Sequence, residues 1–508
     1  MSLDAALAIA QSGLRYAQRS LSVAADNVAN AQTPGYTKKT LPSLANDPSA
    51  GGGVRLGVTS RDVDNAVIDS LHRSGGALAG AQARERLLRT IEIAHGQTSA
   101  GDGLGDRVSA LRNAFVQMQA DPASSSWQGD VLLAAGQLTD RIQSVAGAIV
   151  STRQQAQDGI VAEVDAANAS IRRIGALTEQ IRSQKAAGLS TANLEDQRDE
   201  AIATLSESIP VKALRSGDGG IALVTQGGQS ITIPSKSDPF STGPAVIGPS
   251  SYYGSGGTIP PVTLYGTDVT SQIQGGRLGE YVTLRDTTLP RYQAELDLSA
   301  ASIASRFEAQ GLRLFTDGSG AVPDPTQPYA GGSLIGFAGN MVVNPAVQAN
   351  PSLLRDGTHA VAGSATGPSA FTPNGAGGPS GFSTLLSRVV DFSFGAQAQS
   401  GVGWPPIATS GLGPDGTLSS PFIAPTTIEG YAANVTATQT GDRAAATTAV
   451  EDAKLVNEGL TARFTERSSV DIDQEMANMV TLQNAYAANA RVMSTVQAMW
   501  DALLQAAR

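Results

Sequence analysis

Apolar residues recur at alternating steps of four and three at both ends of this 508-residue chain. At the start the series is Leu3, Leu7, Ala10, Leu14, Ala17, Leu21, Ala24 and Val28. At the finish it is Ile472, Met476, Met479, Gln483, Tyr486, Ala490, Met493 and Trp500, with Gln497 a polar step, and Leu482, Val496 and Leu503 beside it. Both read as coiled-coil seams and predict helices over 1–31 and 471–506. The first has a clear stop. Asn30 fits a left-handed cap, Thr33 precedes Pro34, and Pro34-Gly35 fits the centre of a type II turn before Tyr36. Gly13 costs about 1 kcal/mol inside a helix and marks either a close helix approach or simple tolerance.

Between the ends the period shifts. Residues 40–73 read as irregular to extended, broken at Gly51-Gly52-Gly53. Helix is predicted from near Gly75 to His95, and again through Val108, Leu111, Phe115 and Met118 up to Asp121-Pro122. From Ser126 nearly to Lys185 two heptad seams are joined through Ala156, a stutter in one helix of roughly 85 Å. Its first seam is Val131, Ala135, Leu138, Ile142, Val145 and Ile149; its second is Ile160, Val164, Ala167, Ile171, Ile174 and Ile181. A helix of that length belongs to an elongated bundle. Another helix is expected over 191–208, closed by Pro210. Ile221–Thr225 and Ser230–Ile233 alternate around Gly227-Gly228 as a hairpin. Helix returns over 278–307, where Pro290 predicts a break or kink, and over 427–463.

The fold class expected is mainly α with a β-rich insert, an α+β multidomain chain with terminal coiled-coil helices, an elongated bundle and an outer β-rich domain. The boundaries are nested. Residues 1–36 with 468–508 form the terminal unit, and 37–213 with 276–314 and 426–467 form the bundle. Residues 214–275 and 315–425 form the Gly/Pro-rich outer part, where 383–392 carries one helix.

Composition narrows the functions open to the chain. Charged residues are 16% of it, against roughly 25% in an average domain. The net charge is −10, with no basic stripe, so nucleic acid is not an expected partner. No apolar run reaches the ~20 residues of a membrane span, and the amphipathic start is not expected to be a Sec signal. The absence of cysteine excludes disulfides, thiolate metal sites and Cys nucleophiles.

The sequence offers no catalytic, cofactor-binding or metal residues. His72, His95 and His359 are scattered without ligand spacing and read as solvated or incidental. Gly101–Gly105 is glycine-rich but follows no strand, and Asp317-Gly318-Ser319-Gly320 lacks the rest of a calcium loop. Glu195 and Asp196, with Arg198 nearby, read as a solvated helix face with i,i+3 pairing. The chain is therefore not expected to be an enzyme. The end helices need partners, because an isolated 30-residue helix is marginal in water. Leu7, Leu14, Leu21 and Val28 each offer about 1.5–3 kcal/mol when buried. Arg15 and Arg19, opposite the leucines, are candidates to pair with Asp471, Asp473 or Glu475 of a neighbour.

Several motifs now carry a resemblance. Ser12-Gly13-Leu14, Asp26-Asn27-Val28-Ala29-Asn30 and Thr33-Pro34-Gly35-Tyr36 resemble the N-terminal signature of bacterial flagellar rod, hook and hook-associated proteins, with Asp26 and Val28 departing from it. Residues 469–478, Gln483-Asn484-Ala485-Tyr486 and Ala490-Arg491-Val492 resemble the matching C-terminal signature, with Asp471 and Gln474 as departures. In the middle, Leu194-Glu195-Asp196-Gln197-Arg198-Asp199-Glu200 resembles a motif of the FlgK family of hook–filament junction proteins. So does Gly276-Arg277-Leu278-Gly279-Glu280, through Arg285-Asp286 and Leu289-Pro290 to Leu296-Asp297. The likeness covers most of 1–314 and 428–508.

The resemblance implies a structural subunit of the flagellum, outside the cell, exported by the flagellar type III system without a cleaved signal. It implies a ring of copies of itself, the hook protein, a second junction protein leading to the filament, and a chaperone on the C-terminal helix; no nucleic acid or membrane partner is implied. The predicted assembly surface is Leu3, Leu7, Leu14, Leu21, Asn27, Val28, Asn30, Pro34, Gly35 and Tyr36 at one end. At the other it is Ile472, Met476, Met479, Leu482, Tyr486, Met493, Val496, Trp500 and Leu503. The alternatives are another axial protein of hook or rod, or a secreted enzyme or adhesin carried in the central insert.

Overall fold

The computed structural model describes residues 3–33, 35–46, 52–96, 101–235 and 237–506. Two helices, α1 (Leu3–Asn30) and α13 (Ile472–Ala506), form the terminal pair. The bundle is α2 (Asn65–His95), α3 (Leu104–Met118), α4 (Ser125–Ala186), α5 (Ala192–Ser208), α6 (Gly276–Thr283), α7 (Leu289–Ala309) and α12 (Ile428–Ser468). Four short helices lie in the insert: α8 (Phe337–Asn340), α9 (Pro345–Ala349), α10 (Leu353–Asp356) and α11 (Thr384–Arg388).

Every strand pair among the described residues is antiparallel. Near the N-terminus β1 (Lys39–Thr40) pairs with β4 (Ser60–Arg61), and β2 (Ser43–Ala45) with β3 (Val54–Leu56). β5 (Val211–Arg215), β6 (Ile221–Thr225) and β7 (Ser230–Ile231) form a meander. Its last two strands are the expected hairpin; β5 had not been anticipated, although Val211 and Ala213 alternate inward. β8 (Phe240–Ser241), β9 (Thr263–Leu264) and β10 (Thr267–Asp268) form a second three-stranded sheet.

α4 is the spine. Its 62 residues span about 90 Å, and both expected seams, with Ala156 between them, are buried. Its polar side chains grip the backbone of irregular chain. The Asn168 amide exchanges two hydrogen bonds with Phe240, at 2.8 and 3.1 Å. Gln157 donates to Gly243 O at 2.8 Å and Gln154 to Ala245 O at 3.0 Å. A Gly/Pro-rich stretch with little side chain to bury is thus held through its own peptide groups.

Two expectations about helix ends change. α2 begins at Asn65, capped by the Asp64 carboxylate, ten residues before the expected start at Gly75. The glycines are internal because α2 crosses other backbones closely. A Cβ on Gly76 would sit 2.4 Å from Ser206 O, and one on Gly80 2.8 Å from Gly276 O. Pro290 does not break its helix. A π-helical turn at Leu284–Thr288 joins α6 to α7, with Leu289 N–H bonding Leu284 O, and Pro290 falls in the first turn of α7. The Arg285 carbonyl of that turn accepts from Arg153 Nε at 2.7 Å.

Residues 315–425 carry only short pairs: β11 (Phe315–Thr316) with β12 (Val342–Val343), β13 (Gln397–Gln399) with β14 (Val402–Gly403), and β15 (Ser410–Leu412) with β16 (Leu418–Ser419). Their apolar side chains enter the bundle's core. Phe307 of α7 meets Phe115, Phe315 and Phe394 at ring-centroid distances of 5.7, 5.6 and 5.3 Å. The Asp297 carboxylate, fully buried, accepts from Tyr329 Oη at 2.7 Å and from the N–H groups of Gly336 and Ala338 at 2.8 Å. Arg306 donates to Gly395 O at 3.1 Å and Thr426 O at 2.9 Å. Asp317, weighed as a calcium ligand, spends its carboxylate on its own turn at Ser319 and Ala321. His72 and His95 are buried, not solvated; His95 Nε2 lies 2.8 Å from Gln439 Oε1. Among the described residues no helix is long and apolar enough to cross a membrane.

Candidate functional site: the terminal helix pair and its anchor

α1 and α13 pack on each other within one chain, and they run antiparallel, since Gly13 faces Asn489 while Lys38 reaches Gln474 and Glu475. The fully buried line on α1 is not the leucine stripe. It is Ala10, Ala17, Ser20, Ala24 and Asn27, with Gly13 in the same series. A Cβ on Gly13 would lie 2.8 Å from Asn489 Oδ1, so this glycine marks a close approach. Leu3, Leu7, Leu14, Leu21 and Val28 stand half-buried along one flank. Small residues let two helices approach until larger side chains fall outside the contact line.

On α13 the inner face takes Glu475, Met479, Leu482, Asn489, Met493 and Val496. The register through Gln483 and Gln497 is not the one used, because both amides stay in water. Ile472, Met476, Tyr486, Trp500 and Leu503 are exposed, as are Val480, Val492, Met499 and Leu504.

Below the pair, residues 30–39 form an elbow. Asn30 remains helical instead of turning left-handed: its Nδ2 donates to Asp26 O at 2.9 Å, and Tyr265 is the sole non-glycine residue with positive φ among those described. Tyr36 N–H bonds Thr33 O at 3.2 Å and Gly35 has φ 76°, while Pro34 lies outside the described residues. The Asn27 side chain then acts as a strand partner. It donates to Lys39 O at 2.9 Å and accepts from Lys39 N at 3.0 Å and from Tyr36 Oη at 3.0 Å.

The elbow is tied to α5 by the acidic motif that seemed a solvated face. Asp196, Arg198 and Asp199 are buried. Asp196 accepts from Thr37 Oγ1 at 2.7 Å and Thr37 N at 3.2 Å, and pairs with Lys39 Nζ. Arg61 of β4 bridges Glu195, Asp196 and Asp199 at 3.1, 3.1 and 2.7 Å. Arg215 joins Asp199 to Asp69, and Arg198 donates to Gly219 O. Pairing with Arg198 at i,i+3 therefore gives way to contacts across 159 residues of sequence. α13 joins the same cluster: Lys38 meets Glu475 at 3.2 Å and Gln474 Oε1 at 2.7 Å.

Burial, then the nearby carboxylates of Asp26, Asp196 and Glu475, push the Tyr36 phenol up to about 12. Burial pulls the Lys39 ammonium down, against the opposing pull of Asp196. Burial raises Asp199 too, but Arg61 and Arg215 outweigh it and hold the carboxyl low. The arrangement is charge-compensated and closed, suited to fixing an angle between two bodies. Among the described residues no three His, Asp or Glu side chains are grouped to hold a metal. Sequence reading missed Asn27–Lys39 pairing, Arg61 and Thr37; their partners are brought in by chain reversal, which no local pattern encodes.

Three family models match the chain. Residues 88–319 match the flagellar hook-associated protein FlgK helical domain, 461–506 the flagellar basal body rod FlgEFG protein C-terminal family, and 7–37 the flagella basal body rod protein family. Flagellar hook-associated protein 1 of Escherichia coli is 26% identical over 322 residues, covering 59% of this chain and 56% of its own. That of Salmonella typhimurium is 25% identical over 321 residues, covering 59% and 55%. The chain thus matches little more than half the length of these relatives. That of Bacillus subtilis is 23% identical, covering 98% of this chain and 97% of its own. The flagellar hook junction protein FlgK of Burkholderia pseudomallei is a similar solved structure, with 24% identity, TM-score 0.38, and coverage of 51% of this chain and 46% of that one.

Proposed function

The chain belongs to the FlgK family of flagellar hook-associated proteins, and from that premise we propose that it is a structural subunit of the bacterial flagellum, seated at the junction of hook and filament. The observation that carries the reading is the unsaturated terminal pair. α13 covers one face on α1 and leaves Ile472, Met476, Val480, Met499, Trp500 and Leu503 in water. Exposed apolar side chains along a rod that is anchored to a rigid bundle fit a subunit completed by its neighbours. In this reading 1–36 with 468–508 make the axial part. Residues 37–213, 276–314 and 426–467 make the bundle around it, and 214–275 and 315–425 the outermost part. The partners are further copies in a ring, the hook protein, and a second junction protein toward the filament. An export chaperone holds α13 before assembly through the type III channel. The role is mechanical, without catalysis.

A chain ending at Val470 tests this. Cells carrying only that form should make hooks without filaments and release filament subunits into the medium. Normal filaments on those cells overturn the proposal. The rod-type matches at the two ends favour a hook or rod protein as the second reading. Electron microscopy of a strain lacking the chain separates them: a hook or rod protein takes the hook away with it, and a junction protein leaves the hook in place.

A further inference from the structure

Resting on the axial-assembly reading, we infer that two copies dock edge to edge through their terminal pairs. Arg15 and Arg19 of one copy face Asp473 of the next, which is displaced along the helix axis by roughly 15–20 Å.

The register inside one chain sets the geometry. Gly13 is level with Asn489, so in the antiparallel pair Asp473 is level with about Ala29, and Arg491 with about Gln11. Arg15 and Arg19 lie about 150–170° around α1 from its buried line of Ala10, Gly13, Ala17 and Ala24, at 100° per residue. Asp473 and Arg491 lie similarly opposite the inner face of α13. The pair is therefore a two-helix ribbon whose α1 edge carries Asp4, Arg15 and Arg19, beside the β2–β3 hairpin at Ile9 and Ser12, and whose α13 edge carries Asp473 and Arg491. Arg15, Arg19, Asp473 and Arg491 are all exposed. Among the described residues none has an oppositely charged group within 4.0 Å. Glu475, the third candidate neighbour for the arginines, is not available, because it is buried on Lys38 of its own chain.

Within one chain Arg19 and Asp473 cannot meet. They stand on opposite edges and about ten residues, roughly 15 Å, apart along the axis. Sliding a second copy by that distance brings Asp473 onto Arg19. The same slide carries Arg491 to within about one turn of Asp4, exposed at the start of α1. One displacement thus satisfies both unpaired sets. Because an α1 edge meets an α13 edge, the contact is heterologous and repeats from copy to copy instead of closing as a dimer.

The chain has no cysteine, so introduced thiols report cleanly. Arg19→Cys with Asp473→Cys in one chain can close a disulfide solely between copies, since bridged Cα atoms lie within about 7 Å. Mild oxidation of isolated hook–filament junctions should give a ladder of dimers and higher multimers. Ser22→Cys with Arg491→Cys, which an opposite slide of the same length would bring together, should stay monomeric. A ladder from that second pair, or from neither, while immunogold still finds the chain at the junction, overturns the inference alone. Absence of the chain from the junction overturns the parent reading. In cells, R15E/R19E should cut filament-bearing cells at least ten-fold with unchanged helical circular dichroism and export. Adding D473R should restore at least half of them; no restoration, or no loss in the first place, overturns the inference.

Discussion

Thr37 and Asp196 lie 159 residues apart and share two hydrogen bonds, Thr37 Oγ1 to Oδ1 at 2.7 Å and Thr37 N–H to Oδ2 at 3.2 Å. Through them the motif that ends the first helix is bolted to the acidic motif of α5. The terminal rod is held to the bundle at this point, with a cleft of about 420 Å³ on one side, lined by Ile68, Leu71, Leu78 and Phe464.

Removing Asp196 leaves Lys39 and Arg61 buried without full compensation. Asp196→Ala should cost about 3–5 kcal/mol, read as a lower urea midpoint. Asp196→Leu combined with Lys39→Met should cost markedly less, because both charges then leave the interior together. Equal losses in the two variants would count against the ion pair as the cause.

Two glycines should respond in opposite ways. Gly76→Ala drives a Cβ to 2.4 Å from the Ser206 carbonyl, which belongs to fixed backbone. The expected cost is about 1–3 kcal/mol. At Gly13 the obstruction is the end of the Asn489 side chain, which can swing away. The better helix propensity of alanine, about 1 kcal/mol, should leave Gly13→Ala neutral or slightly stabilised. Thermal melts of the two variants decide it.

Burial raises the Asp297 carboxyl to about 6, although Tyr329, Ala338, Gly336 and Gln293 donate to it. The folded chain therefore binds the proton more tightly than the unfolded chain, whose carboxyl titrates near 4. This stabilisation is present below about pH 4 and is lost as pH rises through about 6. Asp297→Asn cannot titrate, so its stability deficit relative to the parent chain should grow by about 2 kcal/mol between pH 7.5 and pH 4.5. Denaturant melts at the two pH values check the sign.

Among the described residues Arg306 has no carboxylate partner; burial alone pulls it down to about 10, which leaves it charged at neutral pH. Its guanidinium forks to Gly395 O and Thr426 O over the Trp404 ring. Arg306→Met should cost about 2–4 kcal/mol, with faster amide exchange concentrated in 395–426. Lysine should not rescue it, since a point-charge ammonium cannot reach both carbonyls in a fork.

The long elements are legible from local pattern. α4 was legible from Val131 through Ile181 because its seams repeat locally, and α1, α5 and α13 were bounded by the same periodicity with Pro and turn residues at their ends. The sequence also carries the motifs that resemble the FlgK family. Which faces those helices use is set by packing between distant segments. The α1 seam reads with leucines and alanines alternating; Ala10, Ala17 and Ala24 take its buried line and the leucines its half-buried flank, because closeness of approach depends on Asn489 opposite Gly13. Gly75-Gly76 looked like a boundary, yet the helix runs through them because Ser206 needs the space. Asp196 looked solvated until the elbow brought Thr37 and Lys39 against it. Hydrophobic period is a property of neighbouring residues, whereas close approach and charge compensation are properties of pairs that meet only once the chain has folded back on itself.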